Sequence, residues 1–291
     1  MLKESLNQLI DIATSDDYSK NIIDARKEYQ SIAGNIYEDD KSYENRMSLF
    51  LEWYIFDRIY SDTNQTLIET LLQKNKNAWS PDMLKTFESY SHNIHGLFIV
   101  KKIKGDFVKA LNLFDNSTYV VNQSFGKIIF NKNLVFEGRL VPYDNSYYFT
   151  GNFCFHPDKA IKFIKSKTKH INKINNKNKK ELKAITKKLD LNKKKILKIE
   201  LKIDDIKSKI LKSSSTKKIL QLNLILDELE LERTSFEKNY IQLESEAHQF
   251  TAEKIILWPK ILQTQLIQKL SYMQLVWERS RLIDLNDIYK N

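Results

Sequence analysis

The sequence predicts an α+β protein, predominantly α. A helical N-terminal domain leads into a small antiparallel β-sheet or barrel, then a long antiparallel coiled-coil hairpin and a C-terminal helix packing back on the body. Three observations carry this reading. Six Gly and four Pro in 291 residues leave little material for the many tight turns of an all-β fold. Short β-type runs are confined to residues 95–155. From Lys159 to Trp258 an apolar repeat runs out and back through two helices, one rich in Lys and one in Glu. The expected domains are 1–92, 93–156, 157–258 and 259–291.

In the first domain, Leu2, Leu6, Leu9 and Ile10 keep helical spacing, and a second helix is expected from Tyr18 to Ile32. A third, capped by Asp39 or Asp40, includes the stretch Phe50 to Arg58. Leu49, Trp53, Phe56 and Tyr60 share one of its faces and Met47, Phe50 and Tyr54 another, so it should be the central buried helix. Ser80-Pro81-Asp82 starts a further helix: Ser caps, Pro fills the first turn and Asp complements the dipole.

The β-type runs are Leu97–Val100, Phe107–Val108, Tyr119–Val121, Ile128–Phe130, Val135–Phe136 and Tyr147–Phe149. Gly105-Asp106, Asp115-Asn116, Asn131-Lys132-Asn133 and Asp144-Asn145 punctuate them as turns. Five or six strands in so short a segment imply a strongly bent sheet, with most of its aromatics forming its core.

In the hairpin, Leu182, Ile185, Leu189, Asn192, Ile196, Ile199, Ile203, Ile206 and Ile210 alternate steps of three and four. Ser213-Ser214-Ser215 breaks the pattern. The return helix carries Leu222, Leu229, Phe236, Leu243 and Phe250 at steps of seven, with Ile225 or Leu226 between the first two. Folding about the serines sets Ile199 opposite Leu229. Asn175 and Asn178 fall in the seam and should loosen its base, and Pro259 should kink the return helix. The last helix, 260–289, presents Leu262, Leu266, Leu270, Met273 and Trp277.

Net charge is +10, but its location matters more. Residues 159–218 hold 22 Lys against five acids, a local +17, which leaves −7 for the remainder. The acidic return helix answers part of this. Lys187, Lys188, Lys194, Lys195 and Lys198 form a basic face that could bind phosphates in a salt-sensitive way. With only seven Arg in the chain, sequence-specific base reading is not expected. Off the seam, Leu197, Leu201, Leu220, Leu224 and Leu231 make an apolar stripe that two helices cannot bury. They are expected to meet a protein partner or a second copy, two hairpins joining as a four-helix bundle.

No signal peptide or membrane span is read, and the single cysteine, Cys154, allows no internal disulfide, so a soluble cytoplasmic protein is expected. No catalytic or cofactor motif appears, and no cofactor is expected. His92, His95, Cys154 and His156 have spacings that zinc could use, against the plainer reading of four packing or surface residues. Glu52 and Asp57 with Arg58, on an otherwise apolar helix, read as a buried polar site, structural before catalytic.

Phe50-x-Glu52-Trp53-x-x-x-Asp57-Arg58, followed by Glu137-Gly138-Arg139-Leu140-Val141-Pro142 and Tyr148-Phe149-Thr150-Gly151, resembles a group of uncharacterised bacterial proteins. They pair a Glu-Trp-containing helical segment with a compact β-domain, and the resemblance covers about residues 40–158. It implies no activity and no functional residue. The expected function is therefore a non-enzymatic interaction or scaffold protein presenting the coiled-coil arm. The alternative is a sequence-independent nucleic-acid- or ribosome-associated factor using the Lys-rich arm, and a third reading is an enzyme at Glu52, Asp57 and Arg58.

Overall fold

A computed structural model describes residues 2–60, 63–124, 130–280 and 282–290. The chain divides into two compact units, Met1–Asn172 with Lys260–Asn291, and Lys173–Pro259. The architecture is α+β and predominantly α.

The first unit opens with α1 (Leu2–Ala13), α2 (Ser19–Ala33) and α3 (Tyr43–Phe56). Eight of the fourteen residues of α3 are buried, so it is the central helix that its two apolar faces required. Its N-cap is Ser42; Asp40 instead accepts from the Tyr37 amide and from Arg279. A short hairpin, β1 (Ile59–Tyr60) with β2 (Gln65–Thr66), leads into α4 (Leu67–Lys74), where Thr66 and Glu69 form a capping box. α5 (Pro81–Ser91) begins as its sequence demands, with Ser80 Oγ accepting from the Met83 amide. Around α3 the core joins Leu9, Tyr29, Trp53, Leu67 and Phe87.

Six strands follow: β3 (Ile94–Lys104), β4 (Phe107–Asn112), β5 (Thr118–Asn122), β6 (Val135–Tyr143), β7 (Ser146–Phe149) and β8 (Cys154–His156). They are ordered β3-β4-β5-β7-β6-β8, and β3 also pairs with β6, which closes the first five into a barrel. Gly105, Asn116, Asn133, Asp144 and Asn145 all take positive φ, which is why those residue types stand at the turns. The expected strand residues Ile128 and Ile129 lie outside the described residues. Phe98, Phe136, Leu140, Phe149 and Phe153 fill the barrel. Leu97, Ile99 and Val135 face out and pack with Ile164, Ile267 and Leu270.

Two long helices follow, α6 (Ile161–Lys212) and α7 (Thr216–Phe250), joined at Ser213–Ser215. Within the second unit all nine expected seam positions of α6 are buried or half-buried, with Ile199 at 4% and Ile203 at 2% exposure. On α7 Leu226 takes the seam and Ile225 turns to solvent. The cross-helix contacts fall farther along α7 than a simple fold about the serines sets them. Lys195 lies 4.9 Å over the Phe236 ring, and Lys207 reaches Glu230 at 3.3 Å. Between Phe250 and Pro259 the helix widens into a π-turn, Thr251–Leu257. Asn178 donates to the Lys254 carbonyl there at 3.1 Å, while the buried Asn175 Oδ1 has no partner. The base is thus irregular where asparagines replace apolar residues.

In the first unit α8 (Trp258–Arg279) buries Ile267, Leu270, Met273 and Leu275, while Trp277 is 39% exposed. The buried face is therefore rotated from the expected one. Polar contacts hold α8 on α3: Arg46 donates to the Ser271 carbonyl and hydroxyl and to Gln274. Gly34 ends α2 at φ +81°, and a Cβ there would meet the Tyr272 ring at 2.5 Å. The short α9 (Leu285–Ile288) ends the chain beside Tyr289, whose hydroxyl lies 3.2 Å from His156 Nδ1.

Candidate functional site

Strand alternation builds the most unusual feature of the first unit. Phe98, Phe136 and Leu140 point into the barrel, so His95, Glu137 and Arg139 project from its outer surface. His95 and Arg139 are direct cross-strand partners, and Glu137 lies two residues before Arg139 on the same face. α3 covers that face and brings Glu52 and Asp57 against it.

Arg139 is 1% exposed and is the hub. Its guanidinium spans Asp57, which accepts from both Nη1 and Nη2; Nε donates to Glu52 at 3.2 Å and Nη1 also to Asn93. It stacks 5.0 Å from the Phe56 ring. Asn152 donates to the other Glu52 oxygen at 2.7 Å. His95 stands between two carboxylates, Nδ1 3.0 Å from Asp57 and Nε2 3.3 Å from Glu137. The first contact is an ion pair without hydrogen-bond alignment. Arg58, expected here from its place beside Asp57, instead bonds Glu28 at 2.8 Å, because it follows the end of α3 and points away. The cation that the two acids required comes from a strand 82 residues after Asp57.

Burial raises the Glu52 carboxyl above its usual range, outweighing the Arg139 charge. At Asp57 burial acts in the same direction, but Arg139 and His95 overcome it and hold the carboxyl well below that range. For His95, burial and Arg139 oppose protonation, and Asp57 and Glu137 win, so it is raised. Two carboxyl groups joined by one guanidinium are thus driven apart, one toward the neutral acid and one firmly ionised.

Asp57, Asn93 and His95 also floor a cavity of about 350 Å³. Its walls are Asn112, Asp115 and Tyr119 on one side, and Lys260, Gln263, Thr264 and Ile267 of α8 on the other. Among the described residues no three His, Cys, Asp or Glu side chains converge to hold a metal. The four zinc candidates do not converge on one point. His92 bonds Ser91 and the Glu88 carbonyl, and His95 belongs to the charge cluster. Burial pushes the Cys154 thiol up to about 12, and His156 contacts Tyr289.

Residues 2–202 match the model of a family of unknown function, DUF7986. The chain belongs to that family. The match covers the whole charge cluster and runs into α6, well past the segment that carried the resemblance. No curated protein and no solved structure matches the chain.

The hairpin candidates lie in the second unit. Leu197, Leu201, Leu220, Leu224 and Leu231 are 51–78% exposed. Lys187, Lys188, Lys194, Lys195 and Lys198 are all exposed, with Lys195 over Phe236. No helix among the described residues is long and apolar enough to cross a membrane.

His156 supplies a pH prediction. Burial, then the Arg46 charge, lowers it to about 3, so the folded chain keeps it neutral while an unfolded histidine titrates near 6.5. Its contribution to stability is complete above about pH 6.5 and is lost as pH falls toward about 3, at roughly 1.4 kcal/mol per pH unit. Urea denaturation at pH 7.5, 6 and 5 should show a slope that His156→Asn removes. Equal slopes in the two proteins would refute this.

Proposed function

We propose that this chain is a non-enzymatic, self-associating scaffold protein of the cytoplasm, assembling through the outer flanks of its helical hairpin. The observation that carries the reading is the placement of the exposed leucines relative to charge. At about 100° per residue, Leu197 and Leu201 lie roughly 140–180° round α6 from its seam, and Leu220, Leu224 and Leu231 similarly far round α7. The two stripes therefore occupy opposite flanks. A four-helix bundle of two hairpins would need them on one side, so side-by-side association replaces it.

The flanks are complementary. Lys194 and Lys198 each stand three residues before a leucine of α6, where helix geometry makes them neighbours. Asp227 and Glu228 lie between Leu224 and Leu231 on α7, three or four residues from each. The α6 flank of one copy fits the α7 flank of the next: leucine against leucine, lysine against acid. Such a contact is heterologous and continues beyond a dimer.

Charge exchange tests this arrangement. Lys194→Glu with Lys198→Glu makes both flanks acidic, and Asp227→Lys with Glu228→Lys makes both basic. In sedimentation velocity each variant alone should associate about tenfold more weakly than the wild type, and an equimolar mixture should recover. Association of each variant at wild-type strength would rule the arrangement out.

A second reading has its own observation: the five lysines named above are exposed, and among the described residues none is paired to a carboxylate. Retention of RNA or DNA at low salt, lost at moderate salt, would favour a phosphate-binding role for α6.

A further inference from the structure

The floor and strand wall of the cavity above the charge cluster have a one-sided hydrogen-bond inventory. Each carboxylate and side-chain amide oxygen contributed by its floor and strand wall already accepts from the protein. Asp57 accepts from Arg139 and faces His95, and Asn93 Oδ1 accepts from Arg139. Asn112 Oδ1 accepts from the Phe114 amide, and the two Asp115 oxygens accept from the Ser117 amide and the Tyr119 hydroxyl.

The donors are different. Lys260 lines the wall with its stem partly buried, and among the described residues it has no ion-pair or hydrogen-bond partner. Gln263 and Thr264 line the same helix face within one turn of it, also half-buried and with no side-chain bond among the described residues. The Asn112 amide nitrogen is likewise unused. On the floor, His95 is flanked by two carboxylates that favour its charged form. The Asp57 charge, which would repel an anion, is taken up by Arg139 and His95. Ile94, Phe114 and Ile267 supply apolar lining for a ligand body.

We infer that this cavity binds a small anionic ligand, carrying a carboxylate or phosphate group, with Lys260 and Thr264 as its anchors. The ligand provides acceptors for these unused donors. A volume of about 350 Å³ suits a molecule of mononucleotide size or smaller. This site lies in the first unit and is independent of the association proposed for the hairpin.

The test is titration calorimetry of the full chain with three probes: inorganic phosphate, succinate and adenosine monophosphate. At least one should bind, and phosphate against succinate distinguishes the two anion sources. A charge-assisted hydrogen bond lost with Lys260→Gln should weaken that probe roughly tenfold to a hundredfold. Thr264→Val should weaken it less, and Asp115→Asn should leave it unchanged or tighten it. Circular dichroism would show each variant folded, since all three positions reach solvent. Absence of binding for all three probes, or affinity unchanged by Lys260→Gln, would overturn the inference.

Discussion

Arg139→Met should destabilise the protein by about 3–5 kcal/mol, because it leaves buried acids without their cation. Arg139, Asp57 and Glu52 are all buried, so the loss of the guanidinium leaves their charges poorly solvated. Met fills much of the same volume, so the loss is electrostatic more than steric. Asp57 would lose the partner that keeps it ionised, and His95 would be left with two carboxylates. Against a typical total stability of about 5–15 kcal/mol, that is a large fraction of what keeps the chain folded. Urea denaturation followed by circular dichroism measures the loss. The triple variant Glu52→Gln, Asp57→Asn, Arg139→Met should recover a large part of it, because no unpaired charge remains. A loss under about 1 kcal/mol for Arg139→Met would show that the cluster is not the hub described.

The elements were legible where periodicity and turn chemistry agree. Asn133, Asp144 and Asn145 marked turns because few other residues accept positive φ. The α6 seam was legible because its apolar steps of three and four match helix geometry over several turns. Boundaries were less so: Ser42 and not Asp40 stands at the N-cap position of α3, and Asp40 is drawn to Arg279.

The charge cluster was half legible. Glu52 and Asp57 stood out on an apolar helix, but adjacency pointed to Arg58 as their partner. The signal for Arg139 was present in Val135-Phe136-Glu137-Gly138-Arg139-Leu140-Val141: two opposite charges two apart inside an apolar strand share one buried face. What no local pattern contains is the closure of β3 on β6, which sets His95 beside Arg139. The cavity and its unfilled donors also arise only when α8 folds back across the barrel.

The leucine flanks carry the second large effect. Leu201 and Leu224 are 70% and 60% exposed, so replacing them leaves the hairpin seam intact. Each leucine buried between copies contributes about 1.5–3 kcal/mol, and a carboxylate put in its place adds a desolvation cost. Leu201→Glu with Leu224→Glu strikes both flanks of every copy, so association should weaken at least a hundredfold. Circular dichroism and melting temperature should stay unchanged. The decisive measurement is sedimentation velocity at tens of micromolar. The wild type should show species beyond a dimer that grow with concentration, and Leu201→Glu with Leu224→Glu should sediment as a monomer. A monomeric wild type under those conditions, or a double variant that associates equally well, would contradict the proposal.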